Sequence, residues 1–227
     1  MPLVVQKYGG TSLGNAERLQ NVAHIIANTV KQHKVIVVVS AMSSYTKAEG
    51  TTSRLLEAGN LAINGGPFFR VLDLVEQSHF KALEEAISDT VIMEEVKEYI
   101  HEELRSLKAF LEAIHVIHEI SPRSQDLIIG TGERLSARLL SGVLKSYGID
   151  STYTDLSQCV EENLSPNNGE FYSLCQQAFR KKLPENQNDV PVITGFFGFV
   201  SGGIINRIGR GYSDLTAALI AAEMQAE

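Results

Sequence analysis

Lys7, Glu133, Arg210 and Asp214 are the residues of this chain whose settings suit work on an anion. Lys7 stands between an apolar run, Leu3 to Val5, and a glycine pair, Gly9-Gly10, followed by Thr11 and Ser12. A strand that turns through two glycines into a helix presents unpaired N–H groups and the positive end of the helix dipole, a setting for phosphate. The glycines let the backbone come close, and the lysine adds a full charge. This is not a Walker A loop, because the lysine precedes the glycines and the GxxxxGK spacing is absent. By itself the stretch reads equally well as a tight turn with a solvated lysine.

Three further stretches shift that balance, because each also follows an apolar run. Ser40-Ala41-Met42-Ser43-Ser44-Tyr45-Thr46 follows Val35–Val39, and Thr194–Gly198 ends a run that starts at Val190. Arg210-Gly211-Tyr212-Ser213-Asp214 precedes the last apolar segment, with Ser213 or Asp214 expected as its helix cap. In open parallel sheets ligands bind at the carboxyl ends of the strands. If these strands are neighbours, their ends form one crevice holding two cations, two acids, several hydroxyls and two helix starts. That inventory suits a small acidic or zwitterionic substrate beside a phosphate. No GxSxG elbow is present and no histidine falls near these loops, which argues against a serine hydrolase.

The elements that must position these residues follow from periodicity. Ala16, Leu19, Val22, Ala23, Ile26 and Val30 share one helical face, and Val35–Val39 reads as a strand buried on both faces. A helix is expected from Arg54 to about Ile63, stopped by Asn64-Gly65-Gly66-Pro67. From Phe68 to about Ile120 the pattern is helical, broken at Ser88-Asp89-Thr90, as an excursion on one side of the sheet. The stretch Asp126–Leu135 opens another helix that ends near Ser146, which places Glu133 close to a helix start, where a solvated acid is also favoured. Ser151–Asp155 reads as a strand, 161–170 as a loop, Phe171–Leu183 as a helix, and Pro184–Asn188 as a surface connection. Ser201-Gly202-Gly203 has hairpin-turn chemistry. Strands alternating with helices predict an α/β fold around a mostly parallel sheet in one domain.

Bulk properties exclude several classes. The net charge of −7 argues against a nucleic-acid binder that works by phosphate neutralisation. No apolar run is long enough to span a membrane, and because a strand opens almost at residue 1 no targeting peptide is expected. Cys159 and Cys175 lack CxxC or Cys/His spacing, so reduced thiols in a cytoplasmic protein are expected. His115 and His118 have no further ligands with zinc spacing and read as packing or surface residues; no metal-ligand set is expected.

With those residues in hand, a resemblance carries further. KYGGTSLGNAERLQNVA resembles the KFGGTS signature that opens aspartate kinases, within the amino-acid kinase family. IGRGYSDLTAALIA is similar to their GRGGSD-TAA segment, and SAMSSYTKAEGTTSRLL and PVITGFFGFV resemble the fungal branch. The matches run in order from Val4 to the end of the chain. The resemblance implies a three-layer α/β/α sandwich and transfer of the ATP γ-phosphate, as MgATP, to the side-chain carboxylate of L-aspartate. It implies phosphate contacts from Lys7, Gly9, Gly10, Thr11 and Ser12, with Ser40 and Ala41 on the nucleotide side. It assigns Glu133 to the substrate's ammonium group and Arg210 to its α-carboxylate. Ser213, Thr52, Phe197 and Gly198 complete the substrate side, and Asp214 joins Lys7 at the reacting phosphate. Thr46 and Thr51 compete with Thr52 for the family's substrate-side threonine.

Two substitutions depart from the pattern, Tyr8 for Phe and Tyr212 for Gly. The family's full-length members continue into a nucleotide lobe and ACT-type regulatory domains and form homo-oligomers. Residues 1–227 are therefore expected to be the N-terminal portion of the catalytic domain, with apolar surface on the last helix and an edge strand. Alternatives are a family member with another acceptor (glutamate, acetylglutamate or a nucleotide) and an inactive fragment that acts as a binding module. A Rossmann dehydrogenase lacks its GxGxxG here.

Overall fold

The computed structural model describes residues 1–227 apart from 45, 161–164, 168 and 184–188. The expected connection Pro184–Asn188 and part of the expected loop 161–170 lie outside the described residues. Strands β1 (Leu3–Tyr8), β2 (Lys34–Val39), β3 (Ser151–Thr154) and β4 (Val190–Thr194) form one sheet among the described residues. Its order is β1-β2-β4-β3, and every pairing is parallel. The helices are α1 (Ala16–Thr29), α2 (Thr51–Ile63), α3 (Phe68–Ala86), α4 (Thr90–Ile117), α5 (Pro122–Ser146), α6 (Phe171–Lys182), α7 (Ile204–Arg207) and α8 (Tyr212–Glu223). None of them is long and apolar enough to cross a membrane.

Alternation along β2 explains the three layers. Val35, Val37 and Val39 join a core shared with α1 to α5, while Ile36 and Val38 join a second core with α6 and α8. Both faces are covered, so the strand is apolar throughout. The register then aligns the strand ends: Tyr8 lies beside Val39, and Val39 beside Thr194. Three chains leave the sheet along one line, and the residues that follow them share one edge.

Several expectations are corrected. β1 runs on through Lys7 and Tyr8, so the lysine belongs to the strand itself. The glycine pair does not open the long helix; a 3-10 turn, Gly10–Leu13, intervenes, and α1 starts at Ala16 with the Asn15 side chain accepting from the Arg18 N–H. α2 starts three residues early, after Gly50 as cap. α5 starts at Pro122 behind Ser121, a capping serine followed by a proline preset for the first helical turn. Glu133 is therefore three turns inside the helix, not in its first turn.

The predicted hairpin at Ser201-Gly202-Gly203 is absent. Gly202 and Gly203 both adopt φ +87°, turning the chain into α7, and the buried Asp126 carboxylate accepts from the Ile204 N–H with both oxygens, each at 3.0 Å. Gly211, not Ser213 or Asp214, caps α8. The edge strand β1 is half-exposed along its length, but α8 shows no large exposed apolar side chain: Leu219 and Ile220 are buried.

Candidate active site

Close backbone approach builds the crevice. At Gly10 an added Cβ would lie 2.2 Å from the Ala41 carbonyl oxygen, and the Ser43 N–H donates to the Gly10 carbonyl at 3.0 Å. At Gly195 a Cβ would lie 2.3 Å from the Ser213 Cβ and 2.8 Å from the Val39 oxygen. At Gly132 one would lie 2.9 Å from the Ala41 Cβ and 3.1 Å from the Thr51 methyl. Glycine at these positions is a packing requirement. It draws the turn after β1, the loop after β2, α5 and α8 together at the end of the sheet. The loop after β2 is held by Ser136 of α5, whose Oγ accepts from the buried Met42 N–H at 2.7 Å.

A cleft of about 340 Å³ opens there, and Gly10, Thr11, Ser40, Ala41, Thr52, Glu133, Arg210 and Ser213 all line it. The Lys7 ammonium lies 2.8 Å from the Asp214 carboxylate, and a Cβ on Gly9 would come within 3.8 Å of the same nitrogen. The lysine thus leaves the strand, folds over the glycine turn and reaches the first turn of α8. The Ser40 and Ser213 hydroxyls, 2.8 Å apart, make a second tie between β2 and α8.

Glu133 is the unusual member. It is 1% exposed, and its Oε2 has no hydrogen-bond partner among the described residues. Burial pushes its carboxyl up to about 8, although the Tyr212 hydroxyl, the backbone at Phe196 and Ala41, and the Lys7 charge all favour the ionised form. Burial thus makes this carboxyl hold its proton more readily than an ordinary glutamate.

Three expected site residues lie elsewhere. The Phe197 ring is fully buried against Phe179, with centroids 5.5 Å apart. Gly198 turns at φ +135° against the Val160 backbone, where a Cβ would meet the carbonyl oxygen at 2.4 Å. Ser12 lines a shallow hollow with Tyr8, Arg18 and Asn21 on the outer side of α1. Of the competing threonines, Thr52 lines the cleft, Thr51 is buried against Gly132, and Thr46 is exposed outside it.

Sequence reasoning passed over Tyr212, Ser43, Ser53 and Ile205, which also line the cleft. Tyr212 was visible as a departure from a glycine. Ile205 was hidden by the hairpin reading. The remaining histidine candidates serve packing: the His115 and His118 rings each hydrogen-bond a carbonyl at the end of α2, Ala62 and Ile63. Among the described residues no group of three or more His, Cys, Asp or Glu is arranged to hold a metal ion.

Comparison with known proteins places this geometry in context. Residues 2–227 match the model of the amino acid kinase family. The aspartokinase of Schizosaccharomyces pombe is 40% identical over 99% of this chain and 44% of its own length. The Saccharomyces cerevisiae aspartokinase is 38% identical with the same coverage of both chains. Aspartokinase III of E. coli, solved in complex with aspartate and ADP, superposes with a TM-score of 0.77 over 99% of this chain and 47% of that one; at 24% identity it shares the fold. The chain spans about half the length of the curated relatives it matches. A match over nearly every residue, with the same α/β layers, makes this chain a member of the amino acid kinase family.

Proposed function

We propose that the protein is an aspartate kinase, transferring the γ-phosphate of ATP to the side-chain carboxylate of L-aspartate. The observation that carries this reading is the cleft, lined by one buried acid (Glu133) and one exposed arginine (Arg210), with Ser213 in its wall next in sequence to the Asp214 that pairs with Lys7. An acid and a guanidinium, separately placed, suit the ammonium and α-carboxylate of a free amino acid, and the planar arginine fork suits a carboxylate. Kinases of this name in fungi, similar over nearly the whole chain, support the choice of aspartate.

The chemistry asks little of the protein beyond positioning. The acceptor carboxylate is ionised at neutral pH, so no general base is required. Lys7 meets the charge that develops on the transferred phosphoryl oxygens, and Asp214 holds the ammonium in place for it. Gly10 and Thr11 in the cleft wall present backbone and hydroxyl groups to the phosphates, with Gly9 beside the Lys7 ammonium, and Ser40 and Ala41 border the nucleotide side. Ser213 and Thr52 close the substrate side. Ser12, Phe197 and Gly198 support these walls from outside. Magnesium enters with the nucleotide phosphates as part of the substrate complex. Aspartyl phosphate is an acyl phosphate, and as the product here it opens the route to threonine, methionine and isoleucine. A cytoplasmic homo-oligomer completes the proposal.

Trapping the acyl phosphate with hydroxylamine during ATP turnover tests it. An aspartate-dependent hydroxamate, absent in Lys7→Ala, is expected. A hydroxamate formed as well from glutamate or acetylglutamate would reassign the acceptor, and aspartate binding without turnover would leave a binding module.

A further inference from the structure

We propose that Asp126 is a positioning residue for the acceptor side of the cleft: it seats the segment carrying Arg210 on α5, the helix that also carries Glu133. The proposal rests on the function given above for the cleft. Asp126 is 2% exposed, and a carboxylate taken that far from water must be hydrogen-bonded. Both of its oxygens accept from the Ile204 N–H at 3.0 Å. Two neighbours at the start of α5 grip the same segment. The Arg123 guanidinium lies 4.3 Å from the centre of the Phe199 ring, and a Cβ on Gly203 would come within 3.3 Å of the Pro122 Cβ.

From that seat the chain is bonded to itself as far as Gly209. The Arg207 N–H donates to the Gly203 carbonyl at 3.0 Å, and the Ile208 and Gly209 N–H groups both donate to the Ile204 carbonyl, at 2.9 and 3.1 Å. Two side chains fold back on the entry. Arg207 Nε donates to the Ser201 carbonyl at 3.1 Å, and Asn206 Nδ2 donates to that of Gly202 at 3.2 Å. A change in the direction of the Ile204 peptide is therefore carried as one body to the end of α7. Arg210 follows directly, and it lines the cleft together with Ile205 of the same unit.

Glu133 stands seven residues after Asp126, about two turns along the same face of α5. The helix is thus a common reference for both ends of the acceptor. One of its carboxyls lines the cleft, and the other fixes the segment that brings the guanidinium there. The spacing between Glu133 and Arg210 is set by a packed helix, although the arginine itself lies on a loop. A molecule as short as an amino acid needs that rigidity, because a small misplacement of one contact is lost binding and lost alignment. Asp126 acts through this segment, behind the residues that line the cleft.

Calorimetric titration of the full chain with L-aspartate, and with β-alanine, which is aspartate without its α-carboxylate, tests the proposal. Asp126→Ala should weaken L-aspartate by about tenfold, the effect of a charged hydrogen bond put out of place, and leave β-alanine and ATP unchanged. Asp126→Asn keeps the shape and one acceptor oxygen. It should fold even where alanine does not, and lose about threefold on L-aspartate alone. An equal loss on L-aspartate and β-alanine would assign Asp126 to the fold, and unchanged L-aspartate affinity in the folded variants would separate it from Arg210. Either result overturns the proposal and leaves the kinase reading intact. Failure of the wild-type chain to bind L-aspartate would instead remove the kinase reading and this proposal with it.

Discussion

The Lys7 ammonium lies 2.8 Å from the Asp214 carboxylate, joining the end of the edge strand to the first turn of the last helix. The pair is asymmetric: the lysine side chain is 24% exposed and the aspartate 67%. An ion pair with one partner so exposed contributes little to stability, on the order of 0–1 kcal/mol. Its value is in fixing where the ammonium points. Asp214→Asn is therefore expected to leave the melting temperature nearly unchanged. It should lower kcat by roughly a hundredfold, a loss in the range that misplacing a reacting group produces. A large melting shift with unchanged kcat would assign the pair to the fold instead.

Glu133 makes stability depend on pH in a defined window. Its carboxyl ionises at about 8 in the folded chain, against 4.5 as the ordinary value. Between those values the folded state holds a proton that the unfolded state has released, so stability falls as pH rises through the window. Glu133→Gln removes that penalty while conserving shape. The variant should match the wild type near pH 4.5 and be more stable by a few kcal/mol, as an upper bound, at pH 8.5. Urea unfolding at the two pH values reads the difference directly. The same substitution should abolish aspartate binding, a trade of stability for function at one carboxyl.

How far the sequence revealed this site depends on what each residue type signals. Lys7, Gly10, Ser40, Arg210 and Ser213 were legible because each follows an apolar strand or precedes an apolar helix, and parallel sheets gather such positions at one edge. The depth of Glu133 was not legible. Periodicity opened its helix near Asp126, whereas Ser121 and Pro122 set the true start and carry Glu133 into the interior. The region after β4 failed for a different reason. Paired glycines serve a hairpin and a helix entry equally, and only Asp126, 78 residues away, decides between them by accepting from the Ile204 N–H. Contacts at that separation leave no local trace. Phe197 and Gly198 were assigned by resemblance, and their burial reflects packing against Phe179 and Val160.

His79 predicts the acid limb. It is fully buried in α3; its Nδ1–H donates to the Val75 carbonyl at 2.8 Å, and Nε2 has no partner among the described residues. Burial, aided by the Arg54 charge, lowers its ring to about 4 from 6.5. Over that interval the unfolded chain binds the additional proton, so stability is complete above pH 6.5 and is lost as pH falls toward 4. His79→Leu replaces the ring by an apolar group of similar size. It should flatten the loss between pH 6.5 and 4, worth roughly 3 kcal/mol at most, with a smaller change at pH 7.5. An acid limb identical in the two proteins would move its origin to the carboxylates.

Gly195 tests whether the fold and the cleft share one constraint. A Cβ there would lie 2.3 Å from the Ser213 Cβ, 3.0 Å from its Cα and 2.8 Å from the Val39 oxygen. Both neighbours are backbone-anchored, one in the first turn of α8 and the other at the end of β2, so no side-chain rotation relieves the contact. Gly195→Ala must push α8 away from the sheet, separating Ser213 from Ser40 and Asp214 from Lys7. A loss of about 1–3 kcal/mol is expected, as for overpacking elsewhere, together with a fall in activity out of proportion to the folded fraction. The second-site change Ser213→Gly removes the Cβ that is struck. The double variant should recover only part of the stability, because the Ser213 Cβ is gone while the 2.8 Å approach to the Val39 oxygen remains, and little of the activity, because the Ser40–Ser213 hydrogen bond is gone with it. A double-mutant cycle by thermal melting therefore reads the coupling between positions 195 and 213, steric contact and shared hydrogen bond together, and parallel turnover assays read the cleft. Recovery of both together would mean that the Ser213 hydroxyl does nothing that the backbone of α8 does not already do.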